Sequence, residues 1–109
     1  MTSIRIIKSQ NGEYKRVTCK GHTGFAKAGN DIVCSAVSIL VINTINSLDA
    51  LAGIKLQVDS DEEEGFIDCI LLESPGENGG LLLDSMVLGL EMVVTQYGKK
   101  YLKLKFEEV

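Results

Sequence analysis

Two segments of alternating polarity near the start of the chain predict a β-hairpin. Apolar and polar side chains alternate from Ser3 to Lys8 and again from Tyr14 to Lys20, which is the period-two pattern of a strand with one buried face. Asn11 and Gly12 lie between the two segments, and both residue types tolerate the positive φ angles of a tight turn. The pattern therefore predicts two antiparallel strands joined by a short turn.

A long apolar segment follows a glycine-containing stretch and predicts the first helix. The segment from Ile32 to Ala52 is too long for one strand, Asp31 (or Asn30) precedes it as a candidate N-cap, and Gly53 supplies a stop. Its first half is rich in β-branched residues, so a strand remains an alternative there. Because apolar residues surround most of that half, we expect a helix that is buried on more than one side.

The second half of the chain again passes from strands to a helix. Its predicted elements are strands over Ile54–Val58 and Phe66–Leu72, a loop over Glu73–Gly80, a helix over Leu81–Tyr97 and a strand over Tyr101–Phe106. The order β-β-α-β-β-α-β, with adjacent strands forming hairpins, predicts an α+β fold. We expect a single domain over residues 1–109, with two helices and a mostly antiparallel or mixed sheet.

The length and the net charge of the chain limit the kinds of protein that it can be. The 109 residues suffice for one small domain, and 45% of them are hydrophobic, enough to fill a core. The net charge of −4 argues against direct nucleic-acid binding and is compatible with a basic protein partner. The N-terminus lacks the apolar core of a signal peptide, and the apolar run from Ile32 to Ile42 is shorter than the roughly 20 residues that span a bilayer. We therefore expect a cytoplasmic protein whose three cysteines are reduced.

Two residues with reactive side chains flank the glycine-containing stretch. His22, the only histidine, follows the second predicted strand and has the side chain best suited to deprotonate a thiol near neutral pH. Cys34 falls at the third helical position if Asp31 is the N-cap. Free amides and the helix dipole at such a position stabilise a thiolate and an oxyanion. A base and an activated thiol are the parts of thiol-based acyl transfer.

Each of these residues also has a simpler interpretation. Cys34 would be a small buried apolar residue, and His22 an exposed loop residue without a role. Asp31 is more simply a cap than a group that orients His22. Ser38 lies one turn after Cys34 on the same helical face, where its hydroxyl would either donate to the site or bond back to a carbonyl.

The loop from Thr23 to Asn30 separates the two reactive residues. Gly24 and Gly29 lie within it, and glycine permits both hinge motion and close approach to a peptide backbone. We therefore expect this loop to close over an extended peptide and gate substrate access.

The remaining candidates for chemistry are weaker. Cys19 and Cys69 lie on predicted strands and are interpreted as core thiols. Cys19-x-x-His22 has the spacing of half a zinc site, but Cys34 and Cys69 do not form the second close pair, so we expect no metal. The acidic residues between Asp59 and Gly65 do not match an EF-hand loop and predict a solvated turn. No cofactor motif is found.

Around the histidine and the cysteine the chain closely resembles the bacterial ribosomal-processing cysteine protease family, Prp. The family pattern is Gly-His, a glycine-containing loop, and Gly-x-Asp-x-Val-Cys followed by small residues and Ser. The matching residues are Gly21-His22 and Gly29-Asn30-Asp31-Ile32-Val33-Cys34-Ser35-Ala36-Val37-Ser38. The short length and the order of elements extend the similarity to nearly the whole chain.

The resemblance implies a function and a site. It implies that Cys34 and His22 form a catalytic dyad, and that the substrate is the precursor of large-subunit ribosomal protein twenty-seven, whose N-terminal extension is removed during ribosome maturation. It also implies a homodimer and a loop that moves when substrate binds. The alternative is a non-enzymatic, dimeric, ribosome-associated binding module in which Cys34 only packs. A thiol redox protein is weaker, because the chain has no Cys-x-x-Cys pair.

Overall fold

The element order is the one that the polarity pattern predicts. The computed structural model describes residues 2–21, 28–61 and 63–109, and for residues 28–31 it describes only the helical backbone. The elements are β1 (Thr2–Lys8), β2 (Tyr14–Gly21), α1 (Ala28–Ala50), β3 (Leu56–Asp61), β4 (Phe66–Leu71), α2 (Gly76–Tyr97) and β5 (Leu102–Glu108). The α+β class is therefore confirmed.

The five strands form one mixed sheet in the order β3-β4-β2-β1-β5. β1 pairs with β2, β2 with β4 and β3 with β4 in antiparallel fashion, whereas β1 and β5 run parallel. Strand β2 is central, and β3 and β5 are the two edges. The parallel pair arises because α2 carries the chain across the sheet before β5 begins, as parallel strands require a crossover.

Both helices cover the same face of the sheet. Alternate strand residues such as Ile4, Ile6 and Val17 share one core with buried residues of both helices. On α1 the buried positions recur every three or four residues, which is the stripe of a helix that faces a core on one side. These positions are Val33, Val37, Val41, Thr44 and Leu48.

Helix α1 is less enclosed than the sequence predicts. Ile32 and Ile39 expose 51% and 69% of their surface, so the expected burial on more than one side is not found within a single chain. The sheet lies on only one side of α1 and α2 packs beside it, which leaves the outward side open.

Both helices are long and apolar enough to cross a membrane by length and composition alone. The run from Ile32 to Ile42 that was compared with the thickness of a bilayer has only 11 residues. The apolar part of α1 is longer than this run. Both helices nevertheless contribute buried stripes to the core above the sheet. Core helices of this kind pass the same test of composition.

Helix α2 begins five residues before the predicted start, at Gly76 instead of Leu81. The glycines that predicted a loop serve close packing instead. A Cβ on Gly79 would lie 2.3 Å from Ile54 Cδ1 and 2.9 Å from Pro75 Cβ, so only glycine lets α2 approach the chain before β3 this closely. Ile54 itself is buried, and β3 starts after it, at Leu56.

A buried carboxylate joins strands β2 and β4 on the face away from the helices. Asp68 is 5% exposed and accepts two hydrogen bonds from Arg16, of 2.8 and 2.6 Å, and one of 3.0 Å from the Thr18 hydroxyl. The Arg16 hydrogen bond holds the pKa of Asp68 below its usual value, against the opposing effect of burial.

A close backbone contact fixes the end of β2. The Gly21 N–H donates to the Gly65 carbonyl at 2.9 Å. Gly65 has a φ of +63°, and a Cβ there would lie 1.7 Å from the Gly21 carbonyl oxygen. A Cβ on Gly21 would in turn lie 2.7 Å from Thr2 Oγ1. Both positions therefore require glycine.

The first prediction concerns Asp68→Asn, which keeps the shape of the side chain and removes its charge. We expect the free energy of unfolding near pH 7 to fall by about 1.5–3 kcal/mol, the range for hydrogen bonds to a charged group. Because the folded pKa of Asp68 is depressed, the wild-type advantage is present above the unfolded pKa of about 4 and is lost as the pH falls through the folded pKa. Urea unfolding of both proteins between about pH 7 and pH 3 measures this. A difference that stayed constant over that range would contradict the assignment.

The second prediction concerns Gly65→Ala, with Gly12→Ala as the matched control. Gly12 also has a positive φ, +88°, but no atom lies within 4 Å of its added Cβ. Gly12→Ala should therefore lose only about 1–2 kcal/mol of conformational energy. Gly65→Ala must also displace the end of β2, so its melting temperature should lie at least about 4 °C below that of the control. Equal melting temperatures would argue against the contact.

Candidate functional site

Cys34 and Ser38 line one cavity between α1 and the β3–β4 side of the sheet. The cavity has a volume of about 420 Å³. Cys34 is partly exposed, whereas Cys19 and Cys69 are buried. Cys19 also lines this cavity, so the structure brings together two of the predicted site residues, one helical turn apart, and leaves Cys34 as the more exposed of two thiols in the wall.

The beginning of α1 corrects two predictions. The helix starts at Ala28, so Asp31 is its fourth residue and the predicted N-cap is wrong. Gly29 lies in the first turn of the helix and not in the loop. Ala28 favours the helix, and the glycine at position 29 does not stop it, since the long apolar segment that follows packs on the sheet.

This correction changes the physical environment of the thiol. Cys34 is the seventh residue of α1, beyond the first turn. The first four amides of a helix are those without intrahelical partners, and the effect of the dipole falls off within the same turn. The predicted activation of Cys34 by the helix terminus is therefore weaker than a cap at Asp31 would provide.

The second predicted reactive residue directly follows a residue of the cavity wall. Gly21, the last residue of β2, lines the cavity together with Cys34. His22 and Gly24 lie outside the described residues. Gly21 is held by the contact with Gly65 and Thr2, which also line the cavity. The chain therefore leaves the sheet at the cavity itself.

The other two cysteines are core thiols, as predicted. Burial raises the pKa of Cys19 to about 11, with a smaller contribution from the nearby Cys34. Burial also raises the pKa of Cys69 to about 11, with a contribution from the charge of Asp68. Both thiols are therefore protonated at neutral pH, and protonated thiols are poor nucleophiles.

Sequence reasoning did not identify most of the cavity wall. The walls are largely apolar, with a few polar groups, as is typical of ligand-binding clefts. The lining residues that it missed are Thr2, Cys19, Ile42, Ile45, Asn46, Val58, Ser60, Asp61, Gly65, Phe66 and Ile67. A helical repeat of four that begins at Cys34 would have found Ser38, Ile42 and Asn46, but nothing local in the sequence shows that β3 faces α1.

Asp61, which lines the cavity, accepts hydrogen bonds from the turn before β4. The donors are the N–H groups of Glu63 and Glu64, at 3.0 and 3.2 Å, which bends the chain between β3 and β4. Among the residues that the structure describes, no three His, Cys, Asp or Glu side chains are grouped to hold a metal ion.

The known proteins that this chain resembles are cysteine proteases. The family model for the cysteine protease Prp matches residues 1–103. The chain is 31% identical to the ribosomal processing cysteine protease Prp of Bacillus subtilis over 81 residues, which is 71% of this chain and 72% of that protein. It is 21% identical to the protein of the same name from Staphylococcus aureus over 99 residues, 91% and 93% of the two chains.

Solved structures share the fold. The crystal structure of the ribosomal processing protease Prp from S. aureus in complex with a substrate peptide has a TM-score of 0.90, at 20% identity, and the match covers 98% of this chain and all of that one. SMU.848 from Streptococcus mutans has a TM-score of 0.87 at 27% identity, with 100% and 96% covered. Since the family model spans nearly the whole chain, from β1 into β5, this protein belongs to the Prp family of cysteine proteases.

Proposed function

We propose that this protein is a ribosomal processing endopeptidase that removes the N-terminal extension of large-subunit ribosomal protein twenty-seven, with Cys34 as nucleophile and His22 as base. Its relatives are ribosomal processing cysteine proteases by name, which supports processing of a ribosomal protein. One observation supports the dyad: Cys34 lines the same cavity as Gly21, the residue before His22. The proposed base therefore comes directly after a residue of the cavity wall in the sequence.

The reaction follows from these two groups. His22 accepts the proton of the Cys34 thiol, and the sulfur attacks the carbonyl carbon of the scissile peptide bond. The tetrahedral intermediate collapses when the C–N bond breaks, and the imidazolium gives its proton to the leaving amine. Water, deprotonated by His22, then attacks the thioester, which releases the new carboxylate and restores the thiol.

The position of Cys34 within α1 makes the base more important than the helix terminus. Because the thiol lies beyond the first turn, the proton transfer to His22 is the main source of the thiolate. The Ser38 hydroxyl, one turn away in the same cavity, is the candidate donor to the developing oxyanion. Asp31, now without a capping role, is the candidate group that orients His22. Gating by the segment around Gly24 stays a prediction.

The cavity suits an extended peptide with apolar side chains. Its walls carry Ile42, Val58, Phe66 and Ile67, with Asp61 at the rim. The protein has a net charge of −4, which favours approach of a basic ribosomal protein by long-range attraction. Shape and charge thus both agree with the proposed substrate.

We also propose a cytoplasmic homodimer. The outward side of the helix layer exposes apolar side chains that a lone chain leaves in water: Ile32 and Ile39 on α1, and Leu81, Leu88 and Met92 on α2. Exposed apolar patches of this kind mark association surfaces. A second copy would cover them and account for the largely apolar α1.

The third prediction tests the dyad. Incubation of the extended ribosomal protein with the enzyme should release the N-terminal extension, measured as a loss of mass. Cys34→Ser should abolish cleavage, and His22→Ala should lower kcat by about 10²–10⁴-fold, the range for a general base. Cys69→Ala, which alters a buried thiol outside the cavity, is the matched control and should retain cleavage. Undiminished cleavage by Cys34→Ser would refute the cysteine mechanism.

The fourth prediction concerns the relative reactivity of the three thiols. Iodoacetamide should alkylate Cys34 in the folded protein near pH 8, because it is partly exposed in the cavity. Cys19 and Cys69 should react only after unfolding, because they are buried and their pKa values are raised to about 11. Peptide mass mapping with and without denaturant measures the three sites. Equal labelling of all three in the folded protein would contradict the assignment.

A further inference from the structure

The edge strand β3 has backbone groups that face away from the sheet next to the cavity. Backbone groups of successive strand residues point alternately to either side, so one bond fixes the phase of the whole strand. The Leu72 N–H donates to the Lys55 carbonyl at 3.0 Å, which directs the polar groups of position 55 toward β4. The backbone N–H and C=O groups at positions 57, 59 and 61 also point toward β4. The backbone groups of Leu56, Val58 and Ser60 point to the outer edge.

A second hydrogen bond gives the same phase independently. The Gly21 N–H donates to the Gly65 carbonyl, so β4 directs positions 65, 67 and 69 toward β2 and positions 66, 68 and 70 toward β3. In the register of β3 and β4, Asp61 pairs with Phe66 and Asp59 with Asp68. Both hydrogen bonds therefore leave the polar backbone groups of Val58 and Ser60 at the outer edge of β3, which no other strand among the described residues occupies.

The same two residues face Cys34 with their side chains. Val58 and Ser60 line the cavity that holds Cys34 and Ser38. A chain that paired with Val58 and Ser60 would direct every second side chain toward α1 and into the cavity. The strand edge and the reactive thiol thus belong to one cleft, with α1 as its other wall.

Two of the usual features that prevent pairing, proline and a bulge, are absent from β3. Edge strands are commonly protected by short length, charged side chains (lysine above all), proline or a bulge. The charged residues of β3 are the acidic Asp59 and Asp61. β3 reads Leu56-Gln57-Val58-Asp59-Ser60-Asp61, which contains neither lysine nor proline, and its register with β4 is uninterrupted. Five of its six residues are exposed, and Val58 exposes 45% of its surface.

We propose that the substrate peptide binds as an added strand along the free edge of β3, paired with the backbone of Val58 and Ser60, which delivers its scissile carbonyl to Cys34. This proposal rests on the proposed protease function. Strand addition supplies affinity through backbone hydrogen bonds, and the alternate side chains that enter the cavity supply selectivity. Asp59 and Asp61 lie on the same edge strand, which favours a peptide that carries basic side chains.

The fifth prediction uses backbone methylation of the substrate. The probe is a synthetic peptide that spans the N-terminal extension and first mature residues of the host's ribosomal protein twenty-seven, with one N-methyl group at a time. Methylation should raise KM by about tenfold at alternate positions, where an N–H donates to β3, and leave the intervening positions nearly unchanged. Cleavage of the unmethylated peptide tests the proposed function separately. A cleaved peptide whose methylated forms show no period of two would overturn strand addition alone.

A variant of the enzyme tests the same pairing from the other side. Val58→Pro removes an N–H that faces the open edge, so it removes no hydrogen bond of the sheet. Val58→Ala shortens the side chain but keeps the N–H, and is the matched control. Val58→Pro should raise KM about tenfold relative to Val58→Ala with little change in kcat.

Sedimentation equilibrium of both variants separates the substrate from a second copy as the occupant. If Val58→Pro lowers the molecular mass of the assembly and leaves KM unchanged, β3 pairs with another copy of this chain and the proposal is wrong. If Val58→Pro does not fold, the methylation series still decides between the outcomes.

Discussion

Strand β2 ends where two backbones meet with no side chain between them. A Cβ on Gly65 would lie 1.7 Å from the Gly21 carbonyl oxygen, and a Cβ on Gly21 would lie 2.7 Å from Thr2 Oγ1. Because β2 is the central strand, this contact also aligns the ends of β1 and β4. Thr2, Gly21 and Gly65 all line the cavity that holds Cys34. The contact thus fixes the end of β2 at the cavity, and the glycine before the histidine is a requirement of packing as well as part of a motif.

Most of the fold could be predicted from polarity alone, because most of its elements have one buried face. Strand β1 alternates between buried and more exposed residues through Ile7, and β2 does so from Val17 onward, because one face of each strand meets the helices. The errors occur where packing overrides local preference. Gly79 predicts a loop by its lack of a side chain, yet the same absence lets α2 approach Ile54. Likewise α1 continues through Gly29 to Ala28, so a good cap at Asp31 remains unused.

The candidate site was only partly predictable, for a similar reason. Cys34 and Ser38 lie one turn apart on one helix, so their common face follows from helical spacing. Val58 and Ser60 reach the same cavity from an edge strand more than twenty positions later in the sequence, through a register that only the folded sheet defines. The distinction between the three thiols was predictable in direction, because strand positions in a core raise a thiol pKa by burial.

Helix α1 has three faces with different neighbours, which explains why its apolar pattern is hard to interpret. One face joins the core through a stripe that includes Val33 and Val37. The adjacent face, with Cys34 and Ser38, lines the cavity, and the outward face exposes Ile39. Each face uses apolar residues for a separate purpose, so the contrast between the sides of the helix is small, and a strand remained an alternative for its first half. The polar residues Ser38 and Asn46, at helical spacing from the thiol, mark the cavity face in the sequence. The cavity face of this helix is therefore recognised by polar residues among apolar ones and not by the apolar periodicity.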